Sequence, residues 1–382
     1  MDFALNERQR KLKEDIAAFV ATVDKEKIRL CEEASEFPHD LYREIGKRGW
    51  AGIMVPTEFG GLGLGAMEMA IATEEFGLIG FSALTLTLHG ERTILKLGTP
   101  EQQAKYLPKL ASGELLAAIV VSEPDVGSSL KHMKTRAVKN NGHYIINGHK
   151  HHITLGAEAD VLVVFAMTEK GLSAILVDRD TPGIRSRKLE GVGWRLEPHY
   201  ELFLEDCRVP ESQLLGEEGQ GLKVFFATFN ITRICNASHL IGVARSALRS
   251  SIEYAIQRTV GNNKVADFQG IQWIIAELDT KLEAASLVRF KAAWMEDAGM
   301  KHEKETAMTK LLAMDLVDSA ANKAFSIVGG YAGYRTTPFE RYLRDAKIGQ
   351  VGGGSAEIMK NNIAREVLRE YGYKPPKDRS SD

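Results

Sequence analysis

Two stretches of this chain combine chemically useful residue types with backbone freedom. The first is Lys347-Ile-Gly-Gln-Val-Gly-Gly-Gly-Ser-Ala-Glu-Ile358, in which Gly352, Gly353 and Gly354 precede a helical run. Three glycines in succession let the backbone come close to a ligand or to another segment. The second is Val121-Ser-Glu-Pro-Asp-Val-Gly-Ser-Ser129, a loop leaving a β-like run. Its hydroxyls (Ser122, Ser128, Ser129) and N–H groups could serve a phosphate or the edge of a ring, and a plain surface turn is the structural alternative. His149-Lys-His-His-Ile-Thr154 offers three imidazoles but no i, i+4 pair of the kind that holds zinc on a helix, so no metal is expected. Glu91 and Arg92 interrupt the apolar run Thr85–Gly98. A carboxylate in such surroundings has a raised pKa, as a general base needs, unless it is a solvated helix residue paired with a cation. The chain contains no Gly-x-Ser-x-Gly elbow, Walker loop or Cys-x-x-Cys pair.

These residues must be positioned by three kinds of segment. From residue 3 to about 118 apolar residues recur at helical spacing, as in Leu5-Asn-Glu-Arg-Gln-Arg-Lys-Leu-Lys-Glu-Asp-Ile16. After Ala117 short β-branched runs alternate with Asn-Gly, Lys-Gly and Pro-Gly turns, the pattern of an antiparallel β-domain. From Lys223 onward long helical segments return, enough for a helical bundle. The expected fold class is α+β, with a helical domain over 1–118, a β-domain over 119–222, a helical bundle over 223–373 and a flexible tail over 374–382. There is no βαβ alternation, which argues against a Rossmann fold.

Composition narrows the classes. Of 382 residues, 44% are hydrophobic and 26% charged, the profile of an ordinary globular protein. Forty-nine Lys and Arg against 51 Asp and Glu give no general attraction to nucleic acid or to an anionic membrane. No apolar run approaches the roughly 20 residues needed to span a bilayer. The N-terminal stretch lacks a secretory core. Three cysteines, Cys31, Cys207 and Cys235, argue for free thiols in a reducing cytoplasm.

Taken in order, Val-Pro-Thr-Glu-Phe-Gly-Gly-Leu-Gly-Leu-Gly (55–65), Val-Ser-Glu-Pro-Asp-Val-Gly-Ser-Ser (121–129), Ile-Asn-Gly-His-Lys-His-His-Ile-Thr (146–154), Phe-Leu-Glu-Asp-Cys-Arg-Val-Pro (203–210), Ile-Val-Gly-Gly-Tyr-Ala-Gly-Tyr (327–334) and the glycine loop resemble the acyl-CoA dehydrogenase family over nearly the whole length. The resemblance implies a helical domain, a β-barrel-like middle domain and a C-terminal four-helix bundle. It also implies FAD, a CoA thioester substrate, an electron-transferring flavoprotein as electron partner, and a homotetramer or homodimer. It places Ser122 and Ser128 against the flavin and the CoA chain, and Ile153 and Thr154 at the flavin edge. Arg258, Gln269 and Gly330, with Gly329, fall at the diphosphate and adenosine of a neighbouring subunit's FAD. Ser355 and Glu357 become cofactor contacts. Asn230 and Arg233 would meet the substrate, with Gly353 and Gly354 lining the acyl pocket. Several positions depart from the family pattern, among them His152, Gly261 and Ser326.

The largest departure concerns the base. In most members a glutamate stands where this chain has Gly353, and in a second subgroup it stands where this chain has Thr232. Neither residue accepts a proton at neutral pH. The first expectation is a relocated base, Glu91, acting on an unsaturated or alicyclic thioester such as cyclohexene-carboxyl-CoA. The second is a base-free reductase or a desulfinase in which Arg92 holds the leaving group. The third is a flavin-binding scaffold without turnover.

Overall fold

The computed structural model describes residues 4–127, 130 and 132–373. Six helices build the N-terminal part: α1 (Glu7–Thr22), α2 (Lys25–Ala34), α3 (His39–Lys47), α4 (Ala66–Gly77), α5 (Ala83–Leu97) and α6 (Pro100–Ala111). Local signals start them where the sequence suggests. Asn6 and Gln9 close a capping box on α1, and Thr99, Pro100 and Gln102 do the same on α6. In α4 every residue but Met67 is buried, because neighbouring helices cover it on all sides.

The middle part is one sheet of eight strands: β1 (Ala117–Val120), β2 (Arg136–Asn140), β3 (His143–Thr154), β4 (Val161–Thr168), β5 (Gly171–Asp178), β6 (Ile184–Leu189), β7 (His199–Pro210) and β8 (Leu214–Leu215). Its order is β6-β7-β3-β2-β4-β5-β8, with β1 added beside β4. The expectation of a purely antiparallel domain is corrected here. β1 runs parallel to β4, and β2 touches β4 in parallel through Arg136 and Met167. The reason lies at the domain boundary, where Leu116 bonds both the Asp160 side chain and the main chain at 160–161, so β1 starts level with β4. Turn signals reveal strands, not their partners. Among the described residues the sheet does not close into a barrel.

The C-terminal part contains α7 (Gly221–Gln257), a small hairpin of β9 (Thr259–Val260) and β10 (Asn263–Lys264), then α8 (Gln269–Asp297), α9 (Glu303–Val328), α10 (Phe339–Gly349) and α11 (Ala356–Glu370). Helix α7 is 37 residues long and joins the parts: it packs on α4, α5, α8 and α9. Its crossing with α4 is close because both helices carry glycine there. A Cβ on Gly242 would stand 2.2 Å from the Glu74 carbonyl oxygen, and one on Gly77 would stand 2.5 Å from that of His239. Residues 374–382, expected as a flexible tail, lie outside the described residues, as does Ser128.

Candidate active site

The glycine loop joins α10 to α11, and its backbone is committed to glycine. Gly353 has φ +75° and Gly354 φ +111°, conformations that L side chains rarely adopt. A Cβ on Gly353 would find nothing nearer than the Asn236 amide at 3.9 Å, so a first side-chain atom would have room there. A Cβ on Gly352 would stand 3.1 Å from the Trp194 ring.

Two basic side chains border that space. Arg233 donates its Nε hydrogen to the Gly353 carbonyl oxygen at 3.2 Å, and its guanidinium lies 4.2 Å over the Phe229 ring. Lys310 of α9 is wholly buried and donates to the Gly349 carbonyl oxygen at 2.9 Å and to Asn236 Oδ1. Neither forms an ion pair with a described residue. Burial lowers Arg233 to about 10; burial, then the Arg233 charge, lowers Lys310 to about 7. Gly353 is therefore bordered by the Arg233 charge, which no carboxylate of the described residues balances.

The opposite wall comes from α5 and the first turns of α7. His89 lies 5.9 Å from both the Phe225 and Phe229 rings, and burial lowers it to about 4, so it is neutral near pH 7. Thr93 and Thr228 hydroxyls meet at 3.2 Å. Thr232 returns its hydroxyl to the Thr228 carbonyl, and Asn230 is half-buried on the same helix.

Glu91 does not join this wall. Two residues past His89 and two before Thr93, it turns about 200° away from both on α5. It lies beside Thr87 and Tyr42 of α3, on the far side of the helix from α7, while its neighbour Gly90 packs on Ala117 of β1. Burial raises Glu91 to about 8, yet the structure does not bring its carboxyl to the glycine loop. Apolar surroundings raise the Glu91 pKa, and helical phase turns its carboxyl toward Tyr42 rather than toward the glycine loop. Arg92 is met by Glu296 at 3.8 Å, and Glu296 by His302 at 2.8 Å, so its charge is already balanced by protein.

The cofactor contacts expected from the sequence fall in two places. Ile153 and Thr154 end β3 opposite Tyr200 and His199, just after a bulge at which His152 takes φ +57°. Ser122 stands beside them, its carbonyl accepting the His151 N–H at 2.9 Å. At the other end of the C-terminal part, Tyr254, Arg258, Val265, Gly330, Tyr331 and Tyr334 line a surface groove of about 490 Å³. Cβ atoms on Gly329 and Gly330 would meet nothing within 4 Å, and Arg258 has no ion-pair partner among the described residues. Aromatic faces, bare glycine backbone and a free guanidinium suit an adenosine diphosphate group, so the residues fit one end of FAD. Gln269 is exposed at the start of α8. Ser355 precedes α11, and its hydroxyl holds the exposed Glu357 carboxyl below the usual range. Among the described residues no three His, Cys, Asp or Glu converge as a metal site, and no helix is long and apolar enough to cross a membrane.

Sequence profiles of the acyl-CoA dehydrogenase N-terminal, middle and C-terminal domains match residues 6–114, 118–207 and 219–368. The chain belongs to the acyl-CoA dehydrogenase family. It is 40% identical over 384 residues to an acryloyl-CoA reductase (NADH) of Anaerotignum propionicum, covering 97% of this chain and 96% of that one. Two solved structures are similar throughout. One is a chain from work on the electron-transferring flavoprotein of Acidaminococcus fermentans and flavin-based electron bifurcation (33% identity, 97% and 100% covered, TM-score 0.94). The other is glutaryl-coenzyme A dehydrogenase in complex with glutaryl-CoA (33%, 96% and 97%, TM-score 0.93). This acyl-CoA dehydrogenase is an FAD-dependent oxidoreductase acting on CoA thioesters. Sequence reasoning did not single out His89, Phe229, Asn236 or Lys310, which are separated along the chain and meet only through α5, α7 and α9.

Proposed function

We propose that this acyl-CoA dehydrogenase works chiefly as a reductase of α,β-unsaturated acyl-CoA thioesters. The observation that carries the reading is the charge around Gly353: the Arg233 guanidinium bonded to its carbonyl, and no carboxylate among the described residues beside it. Bound FAD supplies the two-electron chemistry. As a conjugated thioester takes up electrons at C3, negative charge collects on C2 and the thioester oxygen. A carboxylate beside C2 would oppose that charge, whereas a partly desolvated guanidinium lowers its energy. The name of the Anaerotignum relative agrees with this direction. The open space at Gly353 also admits a branched or cyclic group such as cyclohexene carboxylate at C2.

In this reading Ser122, Ser128, Ile153, Thr154, Ser355 and Glu357 serve the flavin end of the cofactor. Arg258, Gln269 and Gly330 serve the adenosine end, and Asn230, Arg233, Gly353 and Gly354 serve the thioester. Electrons come from an electron-transferring flavoprotein. The assembly is a homo-oligomer, a tetramer in the family's usual form, for which exposed Trp273, Leu287 and Trp294 on one face of α8 speak. The three unpaired thiols suit the cytoplasm.

The test is anaerobic. Photoreduced enzyme is mixed with a panel of enoyl-CoA esters, and oxidised enzyme with their saturated counterparts. Faster return of flavin absorbance with the enoyl esters supports the reading. Bleaching by saturated esters at a greater rate sinks it, and silence in both directions leaves the scaffold.

A further inference from the structure

Behind the glycine loop lies a group of polar atoms that the protein does not satisfy. Ser82, Thr85, Trp194, Glu197 and His239 are all buried. Glu197 Oε1 accepts the Ser82 N–H at 2.6 Å. Thr85 Oγ1 and Trp194 Nε1 have no hydrogen-bond partner among the described residues, and the Glu197 carboxyl and the His239 ring are left only the Ser82 side chain and the Phe81 backbone to lean on. These residues are neighbours in the fold. Thr85 N–H bonds to the Ser82 carbonyl, and Glu197 N–H to that of Trp194. The Trp194 and His239 rings meet edge-on with centroids 5.8 Å apart, and His239 lies beside the Phe81 backbone. Folded proteins rarely leave buried polar atoms unpaired, and several together mark a place for ordered water.

This pocket adjoins the active site. The Trp194 ring lies under Gly352, and Trp194 itself is held at φ +52° with its N–H bonded to Asp345 at 2.7 Å. On α7, Arg233, Asn236 and His239 follow at intervals of three residues, which puts them along one side of the helix. Arg233 and Asn236 are the neighbours of Gly354 and Gly353. His239 continues that polar strip inward, toward Ser82 and Glu197.

We propose that Glu197 is the proton store of the reaction, passing a proton through water held by Ser82, Thr85 and His239 to the space beside Gly353 and so to C2 of the acyl chain. Only its direction rests on the reductive reading. For each enoyl thioester, C3 gains a hydrogen and two electrons from the reduced cofactor, and the C2–C3 π bond is lost. C2 then forms a C–H bond with a proton from the adjacent water. The Glu197 carboxyl restores that proton along the water chain, and solvent reprotonates the carboxylate.

The surroundings keep the store charged with its proton. Burial raises Glu197 to about 8, against the Ser82 N–H and Arg341, while Asp345 adds to the rise. Arg341 and Asp345 of α10 pair with each other at 3.1 Å, with Arg344 and Glu32 facing Asp345 beyond. His239 is lowered to about 3 by burial, then by Arg341 and by Lys310 of α9, so its neutral ring offers one donor and one acceptor. A neutral acid, a neutral imidazole and two hydroxyls can hand on a proton without building up charge.

The test uses the FAD-loaded enzyme from about pH 6 to about pH 10. Reoxidation of reduced enzyme by an enoyl-CoA and bleaching of oxidised enzyme by the saturated ester are timed in wild type, Glu197→Gln and Glu197→Asp. Glutamine keeps the Ser82 contact and the neutral charge, so the fold is retained. In wild type, enoyl reduction is expected to fall above about pH 8, and saturated-ester oxidation to rise toward it. In Glu197→Gln both rates drop about a hundredfold and lose the inflection, and deuterium exchange at C2 in heavy water is lost with them. Aspartate restores part of the rate and the inflection. A glutamine variant with wild-type rate and inflection overturns the proposal, and so does a slower one that keeps the inflection. If only the saturated ester reacts in wild type, the reductive reading fails while the inflection still decides the role of Glu197. Should the glutamine variant not fold, Thr85→Val, which removes a water-holding hydroxyl, is expected to lower both rates and the C2 exchange; unchanged rates there overturn the proposal.

Discussion

Arg233 Nε lies 3.2 Å from the Gly353 carbonyl oxygen, so the arginine is tied to the middle of the glycine loop. The bond fixes a cation beside the acyl site and leaves the space at Gly353 open. Charge and shape thus go together: residue 353 has no side chain, and a guanidinium without a counter-charge among the described residues stands beside it.

Replacing Arg233 by Gln is expected to slow enoyl-CoA reduction about a hundredfold while FAD content stays unchanged, because one donor aimed at developing charge is worth roughly that much. Stopped-flow reoxidation of photoreduced enzyme measures it. A rate within a few-fold of wild type would remove Arg233 from the charge argument.

Gly353→Ala is expected to cost about 1–2 kcal/mol of stability, since φ at that residue is +75° and an L side chain pays for the left-handed region. Gly353→Glu carries the same strain and is not expected to restore ordinary dehydrogenase activity by itself. Thermal melts and flavin bleaching by saturated esters check both.

Glu91→Gln is expected to leave turnover unchanged in both directions and to stabilise the protein increasingly as pH rises. Between the ordinary 4.5 and about 8 the folded chain keeps a proton on Glu91 that the unfolded chain has released. Folded protein then binds more protons, so wild-type stability falls with rising pH across that window, and the variant lacks this loss. Melting temperatures of both proteins near pH 5 and near pH 8 test the sign. A variant that loses activity would return Glu91 to the reaction.

Gly330→Val and Arg258→Ala are expected to lower FAD retention. The apo fold should tolerate the valine, because nothing lies within 4 Å of a Cβ there. Absorbance of the purified variants against total protein gives FAD per chain. Full retention in both would place the adenosine elsewhere.

Much of the molecule was legible in the chain itself. Helical spacing marked α1, and the Thr99-Pro100 cap marked α6, because those signals are local. Strand runs and turn pairs marked the middle domain, and three successive glycines marked the loop between α10 and α11. What the chain could not show is pairing and phase. The parallel seat of β1 on β4 depends on Leu116 meeting Asp160, 44 residues away. Glu91 was visible as a charge in an apolar run, but only the packing of α5 between β1 and α7 turned it from the loop.

The sequence by itself determined the family, the three-part order of helices, sheet and bundle, and the absence of a carboxylate at residues 353 and 232. These depend on residue identity and short-range periodicity, which a linear string carries. Tertiary structure alone decided which titratable groups gather around and behind the glycine loop. Arg233, Lys310, Glu197 and His239 come from α7, α9 and the turn before β7, and burial then changes their proton affinities. Burial and proximity are properties of the packed chain, so no local reading of the residues could have assigned them.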